Sequence, residues 1–125
     1  MSTRLTALGL AILGLQGCSA AMSMATYRYV GIDLSGSIEG TLFKDGDCVR
    51  IVSSKSTFVP IWPRGTVVES NAVRLPQANG GALLQFGRTI RMMGGLNPGR
   101  GGIENYSYVD RCGGNAFLVN SGQEL

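Results

Sequence analysis

The chain has no histidine and a single tryptophan, Trp62. Without histidine, a serine or cysteine nucleophile lacks its commonest general base, and metal binding loses its commonest nitrogen ligand. There is no Cys-x-x-Cys pair, no Gly-x-Ser-x-Gly stretch and no phosphate loop ending in Gly-Lys-Ser/Thr. Asp45 and Asp47 flank a glycine, but the further spaced acids of a calcium loop do not follow, so they read as turn-forming acids. Glu39, Glu69, Glu104 and Asp110 have the chemistry of a glycosidase acid and base, yet no motif links them. Charged residues make up only 15% of the chain, with no long run of one sign, and no apolar stretch is long enough to span a bilayer. These absences argue against an enzyme, a metal centre or a bound cofactor.

What is present begins with the first eighteen residues. Arg4 is the only charge before Arg28, and the apolar run from Leu5 to Leu15 follows it. As a helix that run would reach about 16 Å, half the thickness of a bilayer core. A short basic start, a short apolar run and a small residue at its end describe a secretory signal peptide. Leu15-Gln16-Gly17-Cys18 then resembles the lipobox of bacterial lipoproteins: an aliphatic residue, a variable one, a small one and cysteine. The resemblance covers residues 1–18. It implies a diacylglyceryl group on the Cys18 thiol, cleavage between Gly17 and Cys18, and acylation of the new amino group. Two or three buried chains, each contributing about 0.8 kcal/mol per CH₂, would make release very slow. Ser19, where an Asp would favour inner-membrane retention, directs the expectation to the outer membrane, facing the periplasm. The expected organisation is therefore a signal peptide over 1–17, a lipidated cysteine and short tether over 18–26, and one small domain over 27–125. Apart from the covalent lipid on Cys18, no cofactor is expected.

If Cys18 carries lipid, Cys48 and Cys112 remain. An exported chain meets an oxidising compartment, which predicts a Cys48–Cys112 disulfide. A small domain gains from such a staple, because its core alone buries little surface. The 19 glycines are spread along the chain rather than clustered in a linker, as turn-rich β structure requires.

The pattern of the remaining residues is that of short strands. Tyr27–Val30 has strand composition, and Ser35-Gly36-Ser37 reads as a turn. Ile38, Gly40 and Leu42 alternate with Glu39 and Thr41, a half-buried strand. Asp45-Gly46, before Cys48–Ser53, is a hairpin signal. Thr57–Pro63 is apolar throughout, and Pro60 places it at a sheet edge or a bulge. Thr66–Glu69, Ala72–Leu75, Ala82–Phe86, Thr89–Met93 and Ala116–Val119 are further strand candidates. Residues 94–102 read as a glycine-rich loop prolonged by 103–110, and 121–125 as a frayed end. No ten-residue window has a helical period. The fold class expected is all-β: a small antiparallel barrel, OB-like or Greek-key, or a sandwich, with one disulfide. Gly46–Arg50, Val59–Pro63 and Arg111–Gly114 are together similar to small, poorly characterised exported β-proteins of bacteria, a resemblance that brings no catalytic residues.

Three residues stand out as candidate partner contacts. Trp62, bracketed by Pro60 and Pro63, suits either a core plug or an interface hot spot. Arg100 lies at the tip of the glycine-rich loop. Arg64 opens a segment in which Arg74, Arg88, Arg91, Arg100 and Arg111 outnumber the acids. Such a segment could face an envelope protein or an anionic cell-wall or lipid surface, whereas the export signal argues against nucleic acid. The function expected is a membrane-anchored cell-envelope lipoprotein with a binding or scaffolding domain. The alternative is a periplasmic inhibitor of a hydrolase such as lysozyme. Lipid-anchored lysozyme inhibitors are also small stapled barrels, but their Ser-Gly loop with a nearby Tyr has no counterpart at Ser35-Gly36 or Ser121-Gly122.

Overall fold

The computed structural model describes residues 24–28 and 34–125. The expected signal peptide, Cys18, the tether as far as residue 23 and the later part of the Tyr27–Val30 strand lie outside the described residues. In chain order the strands are β1 (Thr26–Tyr27), β2 (Gly36–Asp45), β3 (Cys48–Val52), β4 (Thr57–Pro63), β5 (Val67–Val68), β6 (Ala72–Arg74), β7 (Leu83–Gln85), β8 (Thr89–Leu96), β9 (Ile103–Glu104) and β10 (Asn115–Glu124). Among the described residues there is one short helix, α1 (Ser107–Cys112), before β10, and one 3₁₀ turn, over Gln77–Asn79.

Local chemistry sets the first three long strands. Ile38 and Leu42 on β2, and Val49 and Ile51 on β3, turn inward, while Glu39, Phe43 and Lys44 face solvent. Asp45 pairs with Cys48, leaving Gly46-Asp47 as a two-residue hairpin. Gly46 takes φ 62°, the positive value that the first position of such a turn demands. The next turn is closed by Ser53, whose Oγ accepts from the Ser56 N–H at 3.0 Å.

β2, β3 and β4 form an antiparallel meander, and β8 returns by a long connection to lie antiparallel beside β2. The spatial order β8-β2-β3-β4 is that of a Greek key. β10 then lies between the two ends, antiparallel to β8 and parallel to β4. Five strands thus make a small OB-like arrangement. It is partly open, because β3 and β4 register at only Ile51↔Phe58 and Val52↔Thr57. β5, β6 and β7 form a separate antiparallel sheet inserted between β4 and β8.

The sheet is mixed rather than purely antiparallel. β4 and β10 are joined through a long stretch of chain, which frees them from hairpin geometry and allows the parallel pairing. Both are buried on two faces. Trp62 and Phe117 enter one apolar cluster with Leu42, Ile51 and Ile90. Val59, Ile61 and Leu118 enter a second, under α1, with Tyr27, Tyr108 and Val109. This double burial explains why Thr57–Pro63 is apolar without alternation.

Pro60 sits neither on an outer strand nor at a bulge. β4 has neighbours on both sides, but the backbone of Pro60 faces the side where the β3 ladder has ended at Phe58 and β1 begins at Trp62. The Trp62 and Arg64 N–H groups donate on that side to Ala25 and Tyr27 carbonyls, at 3.0 and 2.8 Å. The missing proline N–H therefore falls in a gap between two ladders.

Four loop assignments change. Ser35-Gly36-Ser37 is not a turn, since Gly36 opens β2 opposite Gly94. Gly94, Gly95 and Leu96 extend β8 instead of starting the loop. Residues 121–124 are not frayed but pair with Ile90–Met93, after a register shift between Val119 and Ser121. Residues 103–112 contain β9 and α1. In each case tertiary contact overrides local composition. Gly94 shows it most directly: a Cβ there would land on the Leu118 carbonyl oxygen of β10. Only glycine admits that approach. Gly94→Ala is expected to cost about 1–3 kcal/mol, read as a lower urea midpoint; an unchanged midpoint would mean that the β8–β10 contact is looser than described.

Candidate functional site

The densest side-chain chemistry surrounds α1. Cys48 at the start of β3 and Cys112 at the end of α1 form the expected disulfide, with Cα atoms 5.5 Å apart. Tyr108 lies buried beneath it. Its hydroxyl donates to the Asp47 carbonyl at 2.8 Å and accepts from the Val49 N–H at 2.8 Å, so it closes the β2–β3 hairpin from below. Burial raises the Tyr108 phenol above its ordinary pKa, and the nearby Asp47 adds to the rise; the Val49 N–H, Arg111 and Arg50 oppose it. The phenol therefore stays neutral and keeps its donor. Tyr27 is raised likewise by burial, and its hydroxyl donates to the Val119 carbonyl at 2.6 Å.

Arginines frame this knot. Arg50 donates from Nε to the Cys112 carbonyl at 2.9 Å, and from Nη2 to the same oxygen, satisfying a terminal carbonyl of α1. Arg111 grips both carboxylate oxygens of Asp47, at 3.1 and 2.9 Å, and lies over the Tyr108 ring. These contacts fasten the helix to the hairpin. A helix of six residues has little stability of its own. The cystine, Tyr108 and the arginines hold it in place.

A second, more exposed group lies at the edge formed by β1, β9 and the loop before them. Arg100 donates from Nη2 to both oxygens of Asp110, at 3.1 and 3.0 Å, and its guanidinium sits 4.1 Å from the Tyr106 ring centre. Arg64 pairs with Glu104 at 2.7 Å, and Thr26 Oγ1 donates to the same carboxylate at 3.3 Å. The Asn105 amide donates to the Met24 carbonyl at 3.2 Å.

A third feature is a shallow groove of about 310 Å³ on the outer face of β8 and β10, lined by Arg91, Met93, Ser121, Gly122 and Gln123. Arg91 already pairs with Glu39 at 2.9 Å.

The candidate contacts thus separate. Trp62 is completely buried in the core, so its ring is a packing element and offers nothing to a partner at the surface. Its indole N–H has no hydrogen-bond partner among the described residues. Arg64 and Arg100 are half exposed and share one edge of the domain. The arginine-rich segment makes no single stripe: Arg64, Arg74, Arg91, Arg100 and Arg111 each pair with a different acid. Asp45 and Asp47 take up Arg50 and Arg111. Among the described residues no three metal-ligating side chains converge. Neither Ser-Gly pair stands on a protruding loop, since Gly36 opens β2 and Ser121-Gly122 lies within β10. The pattern of the sequence points to neither Tyr106 nor Tyr108; the i, i+4 spacing of Tyr108 and Cys112 is the one signal for Tyr108, and Asp47, read as a turn-forming acid, also anchors Arg111.

Comparison of the chain with protein-family models, with curated proteins and with solved structures finds no match.

Proposed function

We propose that the chain is a lipid-anchored protein of the bacterial cell envelope, carried to the outer membrane, whose β-domain is a binding or scaffolding module. The observation that carries this reading is the cysteine arithmetic. Cys48 and Cys112 are joined to each other, which leaves Cys18 as the one cysteine outside the disulfide, at the end of Leu15-Gln16-Gly17-Cys18. An intact disulfide suits an exported chain. A rigid β-scaffold bearing an exposed loop suits binding. The exposed edge with Arg64 and Arg100 is the surface best suited to a partner, because each guanidinium keeps donors beyond its one acid.

Expression of the full chain with a fatty-acid probe tests the anchor. The parent is expected to incorporate the probe and to sediment with membranes. Cys18→Ser is expected to lose the label completely. Label retained by the variant would contradict the reading.

A further inference from the structure

We propose that the Arg100–Tyr106 edge is a docking face for anionic phospholipid headgroups, and that the tether orients the domain on the membrane by this face. The inference rests on the lipid-anchor reading for its local concentration, and on the geometry of the tether exit for its direction.

From Cys18 to Met24 the chain can span at most about 21 Å, even fully extended. A domain of about 100 residues is about 34 Å across. The anchor therefore cannot bring the far side of the domain to the bilayer, and the face around Met24 is the one that meets it. That face is defined by a short series of contacts. The Met24 carbonyl is held by the Asn105 side chain; Tyr106 follows; Arg100 stacks on the Tyr106 ring. Asn105 takes a left-handed backbone conformation, with φ 58°, which fixes this corner ahead of α1.

The chemistry there is that of an interface with headgroups. Arg100 contacts Asp110 through Nη2 alone, so Nε and Nη1 remain as donors for a phosphate. Its side chain and that of Asp110 are 64% and 57% exposed, so the pair between them is weak and yields readily to a competing anion. Tyr106 beneath it is an amphipathic ring of the kind enriched at membrane interfaces. Arg64 and the exposed Arg28 lie on the neighbouring edge of β1, where the Arg64 N–H donates to the Tyr27 carbonyl. A Cβ at Gly99 or Gly101 would meet nothing within 4 Å among the described residues, so the loop tip is uncrowded on either side of Arg100.

The test is hydrogen exchange on the full chain purified from membranes and placed in excess phosphatidylcholine vesicles, with or without phosphatidylglycerol. Amides of residues 97–106, read at short labelling times, are expected to exchange about fivefold more slowly on the anionic vesicles, the scale of one arginine at a charged surface. The Ser53–Ser56 turn, at the end of β4 opposite its pairing with β1, is expected not to change. Arg100→Gln, with an unchanged unfolding midpoint, is expected to abolish the difference, and high salt to reduce it. Equal exchange on both vesicles, or protection centred elsewhere, overturns the proposal and leaves a protein or cell-wall partner for this edge. Intact mass of the same sample reports separately whether Cys18 is acylated, so failure of the anchor and failure of the docking face are distinguished.

Discussion

Opening the Cys48–Cys112 bond is expected to lower stability by about 4 kcal/mol, the chain-entropy value for a loop of this length. The sequence separation is 64 residues, and the loop it closes contains β4, the inserted sheet, β8 and β9. Reduction releases more than a tether in the unfolded chain. Cys112 ends α1, and its carbonyl holds Arg50. Loss of the bond loosens the helix from the hairpin and exposes the cluster under it, including Val59, Ile61 and Leu118. For a domain near 100 residues the loss corresponds to a fall in Tm of about 15–30 °C. Thermal unfolding with and without reductant, and of Cys48→Ala/Cys112→Ala, measures it. A shift of only a degree or two would show that packing around Tyr108 suffices to hold α1.

The second large effect belongs to Trp62. Trp62→Ala is expected to cost about 3–5 kcal/mol, because a fully buried ring is replaced by a cavity between β4 and the opposite wall of the core. Trp62→Phe separates packing from polarity. The indole N–H is buried without a partner among the described residues, and such a donor carries a desolvation cost of about 1–3 kcal/mol. Phenylalanine removes that donor while keeping most of the apolar surface, so its net cost is expected to be a small fraction of the alanine effect. Urea unfolding of both variants tests the pair. Equal losses would mean that the N–H is satisfied by a water or by a residue outside the described set.

How far the fold was legible follows from where the relevant forces act. Ile38 and Leu42 reveal β2 by alternation, and Asp45-Gly46 reveals the hairpin, because both are local backbone effects. The disulfide was legible from the cysteine count together with the expectation of export. Gly94 and Gly95 misread as loop because composition reports flexibility, whereas the close approach of Leu118 is a contact between strands distant in sequence. α1 is too short to show a period, and its two buried anchors, Tyr108 and Cys112, are held by the β2–β3 hairpin far from them in the chain. The parallel β4–β10 ladder leaves no local trace at all.

The candidate surface was legible only in part. Arg64 and Arg100 stand out as charges in the sequence, but Asp110, Glu104 and Tyr106 decide what those charges can do, and their pairing is tertiary. Trp62 could be read either as core or as contact, and only its complete burial assigns it to packing.

The account is tested most directly by intact mass measurement of the protein extracted from membranes, before and after reduction. The predicted result is a chain beginning at Cys18, heavier than its sequence by a diacylglyceryl group and an acyl chain, that gains the hydrogens of one opened disulfide on reduction. An unacylated chain, or one carrying free thiols at Cys48 and Cys112 before reduction, would contradict it.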